Sequence, residues 1–445
     1  MRQLRPPAVR RWNSSVLDAI VSAFRIGDLR SKLLFTFGLL VVFRFLSHVP
    51  VPGVNAQALL DLFGRDQLLG MLNLFSGGAL SQFSIVAMGV YPYITATIIV
   101  QLMIPIIPQL EALSQEGEAG RAKINQFMHW ITVPLACLQS FGTVTFMNSS
   151  SSVPVVEKFD LAQYPLETVA IISTMAAGTI LLVWIGELIT QNGVGNGVSI
   201  IIFAGIVSSL PQVVGQALAS PDLGPAVAFT IVGLGMVAGI VYVYEGQRRI
   251  PVQYARRLRG NRWYGGGSTH IPMRVNSAGM IPLIFASSII ISPGLIASYF
   301  TAVDNETVRG VANALYEALY LGTSWIFWGL YFLAVVGFTF FYALVIFQQQ
   351  GIGDNLQKNG AFIPGIRPGR PTNEYLYKVL IRVTCAGALF LGLIAVVPFL
   401  ARSVTSVQAL TLSSTGVLIV VGVVLDTIKQ LEAQLLMRNY RGFIR

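Results

Sequence analysis

Apolar residues in this chain come in blocks. Stretches of roughly 20, the length an α-helix needs to cross a bilayer, recur from end to end with polar connections between them. Ten spans are predicted: about Lys32 to Ser47, Phe83 to Leu102, Ile124 to Phe146, Thr168 to Ile189, Gly197 to Val214, a sixth ending near Glu245, Val275 to Ser298, Trp325 to Phe347, Leu380 to Leu400 and Thr411 to Thr427. One place breaks the pattern. Between Asp66 and Gly78, Leu68, Leu69, Met71, Leu72, Leu74 and Phe75 make only about three apolar turns, too few to span, and Gly77 and Gly78 then let the backbone turn sharply. Non-helical backbone at membrane depth survives only inside protein or along a wet cavity. A half-helix hinged to a full span therefore predicts a cavity.

Composition agrees: of 445 residues, 54% are hydrophobic and 11% charged, which reads as an all-α polytopic membrane protein. The formal charge of +10 raises nucleic acid as a partner, but the 30 Lys and Arg residues fall mostly in connections. With the N-terminus inside, 25 of them are cytoplasmic, four (Arg65, Lys158, Arg309, Arg402) are outside and Arg44 lies in a span. Orientation accounts for that distribution, so no DNA partner is expected and both termini are placed in the cytoplasm. Arg2 to Lys32 is too charged for a cleavable signal, and Ser14 to Ile26 has the spacing of a helix lying on the membrane surface. Cys137 and Cys385 sit singly in spans as small core residues. The expected organisation is a cytoplasmic segment 1–31, a first half 32–215, a second half 226–427 with cytoplasmic loops 246–274 and 348–378, and a tail 428–445.

A weak internal repeat supports the two halves. Gly89, Pro92, Ile94, Ala96 and Ile99 recur at a constant offset of 190 as Gly279, Pro282, Ile284, Ala286 and Ile289. The two matched spans hold the same rank in each half and run in opposite directions, which predicts an inverted pair of five-helix halves around a midplane site. Both carry Pro and Gly within the expected helix, where they loosen the hydrogen-bond ladder, so these are the helices expected to move.

No catalytic constellation is present. His48, His129 and His270 lie far apart, no Gly-Lys-Ser/Thr phosphate loop occurs, and the alternating glycines of Gln191 to Gly197 follow no strand. Neither enzyme activity, cofactor nor metal is expected. Two readings remain at this point. An ion-coupled secondary transporter fits broken helices and inverted repeats, but transporters keep charges at mid-membrane, and here Arg44, Glu187 and Asp426 all lie toward span ends. A passive pore needs no charge: Val90, Ile94, Val198, Ile202, Ile284 and Ile419 lie in the middle third of their spans, and aliphatic rings can seal a channel by excluding water. Periodicity alone would equally make them ordinary packing.

Nine motifs in order, PVPGV, NLFSGGALSQFSI, MGVYPYITATIIVQL, SQEGEAGRAKINQ, GVGNGVSIIIFAGIV, GQRRIPVQYARR, VNSAGMIPLIFASSII, NLQKNGAFIPGIRPG and LIVVGVVLDTIKQLE, run through essentially the whole chain. They make it resemble the SecY family of bacterial protein-translocase channels. The resemblance implies an hourglass channel in the bacterial inner membrane, plugged by a short helix at Asp66 to Gly78 and closed by a pore ring at the six aliphatic residues. It implies a lateral gate toward lipid formed by spans two, three, seven and eight, including Thr95, Ile98, Asn276 and Ser287. The expected partners are SecE and SecG, the SecA ATPase or the ribosome, and secretory or membrane-protein precursors. SecA or ribosome contacts fall on Arg248, Arg249, Arg256, Arg257 and Arg367, because arginine pairs bidentately with carboxylate and phosphate alike. The run Gln348 to Gly353 and Arg370 depart from the family's usual pattern in that loop.

Overall fold

The structure is a computed structural model that describes residues 26–65, 73, 76–151, 153–219, 223–254, 257–259, 262–264, 267–279, 281–300, 306–319, 325–405 and 409–441. Fourteen helices follow in order among these residues: α1 (Gly27–Leu46), α2 (Ala56–Arg65), α3 (Tyr91–Met103), α4 (Pro108–Gln115), α5 (Glu118–Ser150), α6 (Pro165–Asn192), α7 (Gly197–Ala219), α8 (Leu223–Glu245), α9 (Ile281–Phe300), α10 (Glu306–Leu319), α11 (Trp325–Gln350), α12 (Ile352–Lys358), α13 (Arg370–Thr405) and α14 (Ala409–Arg441). Each of the ten predicted spans overlaps one of them, α1, α3, α5 to α9, α11, α13 and α14, and among the described residues four are by themselves long and apolar enough to cross a membrane. The surface helix expected at Ser14 to Ile26 lies almost wholly outside the described residues.

Several helices overrun the apolar stretch that announced them. Span three starts at Glu118, span nine runs from Arg370 to Thr405, and span ten continues to Arg441 through what was expected to be tail. A helix does not end where hydrophobicity ends. It ends where a residue stops it, and Pro371 as the second residue of α13 favours a start there, since proline's missing N–H is an orphan in the first turn anyway.

The second span differs in the opposite sense. Phe83 to Val90, expected as helix, is a run of tight turns, and α3 begins only at Tyr91 with Pro92 in its first turn. Positive φ at Gly77 (72°), Gly78 (83°), Phe83 (46°) and Gly89 (56°) explains why no helix forms. The turns are enclosed: Ala79, Phe83, Ser84, Val86 and Val90 are all buried. In the second half Gly279 has φ 67° and Pro282 is the second residue of α9. The repeated Gly and Pro therefore begin two helices rather than loosen their interiors.

Two predicted loops make one body. The segment 246–274 contains β1 (Gln247–Tyr254), β2 (Arg257–Arg259), β3 (Arg262–Tyr264) and β4 (Ser268–Arg274), and the next long connection supplies β5 (Ala361–Phe362). The order is β4-β1-β5, antiparallel throughout, with Gln247 opposite Arg274 and Tyr254 opposite Ala361. Ile250 and Val252 point inward from β1 and pack with Met273, Ile363, Leu376 and Leu380, so the sheet sits on the start of α13.

Candidate channel seal and docking surface

The central apolar cluster is built by nearly every long helix, and it contains the six candidate seal residues. Val90 precedes α3, Ile94 lies on α3, Ile202 on α7, Ile284 on α9 and Ile419 on α14, all buried, and Val198 on α7 packs against them. Residues separated by more than 300 positions thus share one apolar cluster. The plug candidates Leu68, Leu69, Met71, Leu72, Leu74 and Phe75 lie outside the described residues. Their junction with the second span is described. Gly77 touches Gly205 of α7 so closely that a Cβ on Gly77 would come within 2.8 Å of the Gly205 Cα. Arg44 Nη1 donates to the Gly77 carbonyl at 3.1 Å.

The other ionisable groups near span ends also have partners. His129 Nδ1 lies 2.7 Å from the Asn125 carbonyl, and its Nε2 lies 3.0 Å from Glu187 Oε1, joining α5 to α6. The Tyr244 hydroxyl donates to Asp426 Oδ2 at 2.8 Å, and Arg274 lies 4.0 Å from the other carboxylate oxygen, joining α8 and the sheet to α14. Pairing, rather than ion coupling, accounts for these charges.

The sheet is the second surface. Arg248 and Arg249 are exposed at the start of β1. Arg367 is exposed in the turn after β5, where Gly365 (φ 82°) and Gly369 (φ 101°) bracket it and Thr372 Oγ1 donates to its carbonyl at 2.8 Å. Arg257 belongs to β2, and Arg256 lies outside the described residues. Because β1 pairs with β5, two arginine-bearing connections roughly a hundred residues apart join in one sheet.

A family model described as SecY matches residues 84–428. The chain belongs to the SecY family. Protein translocase subunit SecY of Streptomyces coelicolor is 45% identical over 442 residues, covering 97% of this chain and all of that one, and the Mycobacterium tuberculosis H37Rv subunit is 41% identical over 449 residues at the same coverage. Two solved structures share the fold at 17% identity, each covering 90% of this chain and 91% of its own. One is described as a protein-conducting channel (TM-score 0.62), the other as Sec61 in the canine ribosome-channel complex from the endoplasmic reticulum (TM-score 0.60). The chain is an all-α polytopic membrane protein of a translocase channel family. None of these relatives supports the secondary-transporter reading.

The gate candidates have different local settings. Ile98 is buried in the central cluster, and Thr95 Oγ1 donates to the Tyr91 carbonyl at 3.0 Å while accepting from Gln139 Nε2 of α5 at 3.4 Å. Ser287 is buried on α9 and donates to the Ile284 carbonyl of its own helix. Asn276 instead precedes α9, where its Nδ2 donates to the Gly279 carbonyl and it lines a small cavity with Tyr244, Phe390 and Gly422. It organises the turn before the helix, a role its position beside a positive-φ glycine makes natural.

Three features escaped the sequence reading. The first is Gln139, which ties α5 to α3. The second is a pair of glycines. A Cβ on Gly178 of α6 would overlap the Ile85 carbonyl, and one on Gly387 of α13 would overlap the Val275 carbonyl. Ile85 and Val275 are separated by the same 190 positions as the motif that follows them. The third is β1–β5 pairing, whose only sequence signal is the alternation of Ile250, Val252 and Tyr254.

Proposed function

We propose that this chain is the protein-conducting channel of the general secretory pathway, passing unfolded polypeptides across the bacterial inner membrane and releasing apolar segments sideways into lipid. It lies with both termini in the cytoplasm and works with SecE and SecG. The observation that carries the proposal is the presence of six aliphatic residues from four separate parts of the chain in one apolar cluster beside an enclosed, non-helical stretch. An extended chain displaces the 66–78 segment and passes between these side chains, which close around it and limit ion leak. A segment that gains roughly 0.3 to 0.6 kcal/mol for each central Leu or Ile leaves instead between α3 and α9 into lipid. Energy comes from outside, from the SecA ATPase or a translating ribosome docked on the arginines of the sheet and on Arg367.

The test places a photo-crosslinker at Ile284, co-reconstitutes the protein with SecE and SecA, and arrests a secretory precursor midway with ATP present. A crosslink confined to the arrested precursor is expected. Its absence, together with uptake of a small solute along an ion gradient, overturns the proposal.

A further inference from the structure

Two short helices lie on the side of the spans opposite the sheet. Helix α9 starts just after the sheet and its 20 residues cover roughly 30 Å, about the hydrocarbon thickness, so α10 (Glu306–Leu319) follows it on the far side. The alternation of the spans puts α2 (Ala56–Arg65) there too. Both are amphipathic, but their apolar faces meet different surroundings. Ala58, Leu59 and Leu62 of α2 are at most 6% exposed and share an apolar cluster with Phe83, Met147 and Val155. Val308, Val311 and Leu315 of α10 are 40%, 60% and 43% exposed. Among the described residues, protein covers the first face and leaves the second open.

The open residues form a stripe. At about 100° per residue, Val308, Leu315 and Val311 fall within roughly 60° of one another, next to Ala312. Ala312 is buried and marks the side turned to the protein, where α10 packs along α9 and touches α11. Glu306, Arg309 and Asn313 are exposed on the opposite arc. The helix therefore has a protein side, a polar side and an uncovered apolar side. Its neighbour α11 also turns a stripe outward, Ile326, Leu330 and Leu333, as a span in lipid must. Helix α10 thus borders a helix already coated by lipid.

We propose that α10 lies in the bilayer surface facing away from the sheet, with Val308, Val311 and Leu315 inserted below the headgroups and its polar arc in water. A helix with one apolar face, a charged opposite face and few apolar residues overall sits at that depth. Charge selects the lipid. Glu306, Arg309 and Glu317 leave the helix with one net negative charge, so anionic headgroups do not attract it and the partner is a neutral phospholipid surface. Helix α9 is then held at both ends, by the sheet and by the bilayer surface. The inference needs only that the chain spans a membrane, and it stands or falls apart from the proposed channel function.

The test replaces Cys137 and Cys385 by Ala and introduces Val308→Cys, Val311→Cys, Leu315→Cys or Asn313→Cys, each carrying a polarity-sensitive fluorophore. The full chain is reconstituted with SecE in phosphatidylcholine vesicles. Iodide on both sides quenches from water, and a nitroxide high on the acyl chains quenches from lipid. The three stripe positions are expected to lose at least about threefold more fluorescence to the nitroxide than to iodide, the Asn313 position to show the reverse, and added phosphatidylglycerol to change neither. Val311→Asn with Leu315→Asn is expected to make the probe at Val308 as open to iodide as the one at Asn313, and exposed positions such as these tolerate replacement without unfolding. Iodide quenching of the stripe equal to that at Asn313 overturns the proposal. Protection from both quenchers overturns it as well, because a protein then covers the stripe, and a requirement for phosphatidylglycerol overturns the neutral surface.

Discussion

The stretches that lead into α3 and α9 are built alike and anchored differently. In each, a carbonyl (Ile85, Val275) rests on a helix glycine (Gly178, Gly387), a positive-φ glycine follows four residues later, and proline sits in the first turn of the helix. Upstream the resemblance ends. The first stretch is bonded to the turn after α1, with Val51 N donating to the Phe83 carbonyl and Ile85 N to that of Val49, and is locked by Gly77 on Gly205. The second continues directly from β4, with Val275 N donating to the Gly246 carbonyl across the base of the hairpin. One helix is thus fastened into the body of the protein, and its counterpart is fastened to the arginine-bearing sheet.

Substitutions separate the shared device from the unshared anchors. Gly205→Val should have the largest effect: with backbone facing backbone nothing can yield, and a loss of about 3 kcal/mol is expected in thermal unfolding of the detergent-solubilised protein. Near-wild-type stability would remove the Gly77 contact as an anchor. Gly178→Ala and Gly387→Ala should each lose about 2 kcal/mol, because each new Cβ falls on a main-chain carbonyl. Equal losses would establish the two lead-ins as equivalent, and a marked inequality would end the parallel. Gly279→Ala should have the smallest effect, about 1 to 2 kcal/mol from its left-handed backbone alone, since the nearest atom is the Tyr244 hydroxyl at 3.7 Å. A loss as large as that of Gly205→Val would show the second lead-in to be as tightly locked as the first.

What the sequence could and could not announce follows from the range of the forces involved. Hydrophobic blocks are local, and each of the ten placed a helix. The break at Gly77 and Gly78 was also legible, because glycine pairs remove side chains wherever they stand. Its extent was not: Phe83 to Val90 is as apolar as a helix, and positive φ at Phe83 and Gly89 keeps it irregular. The seal candidates were a list of aliphatic residues until folding brought Val90 and Ile419 into one core. The sheet was hidden because β5 is two residues long and finds its partner across the intervening span helices α9 and α11.

The contact of Gly77 with Gly205 also sets a clock for synthesis. Roughly 130 residues separate the two, so at roughly 5 to 20 residues per second the partner that locks the first lead-in is made on the order of ten seconds after it. Over that interval the apolar, non-helical stretch before α3 exists without the glycine it is shaped to meet. The newborn chain must be sheltered from lipid or from neighbouring strands until its fifth span arrives, so the assembly of this channel depends on protection during its own insertion.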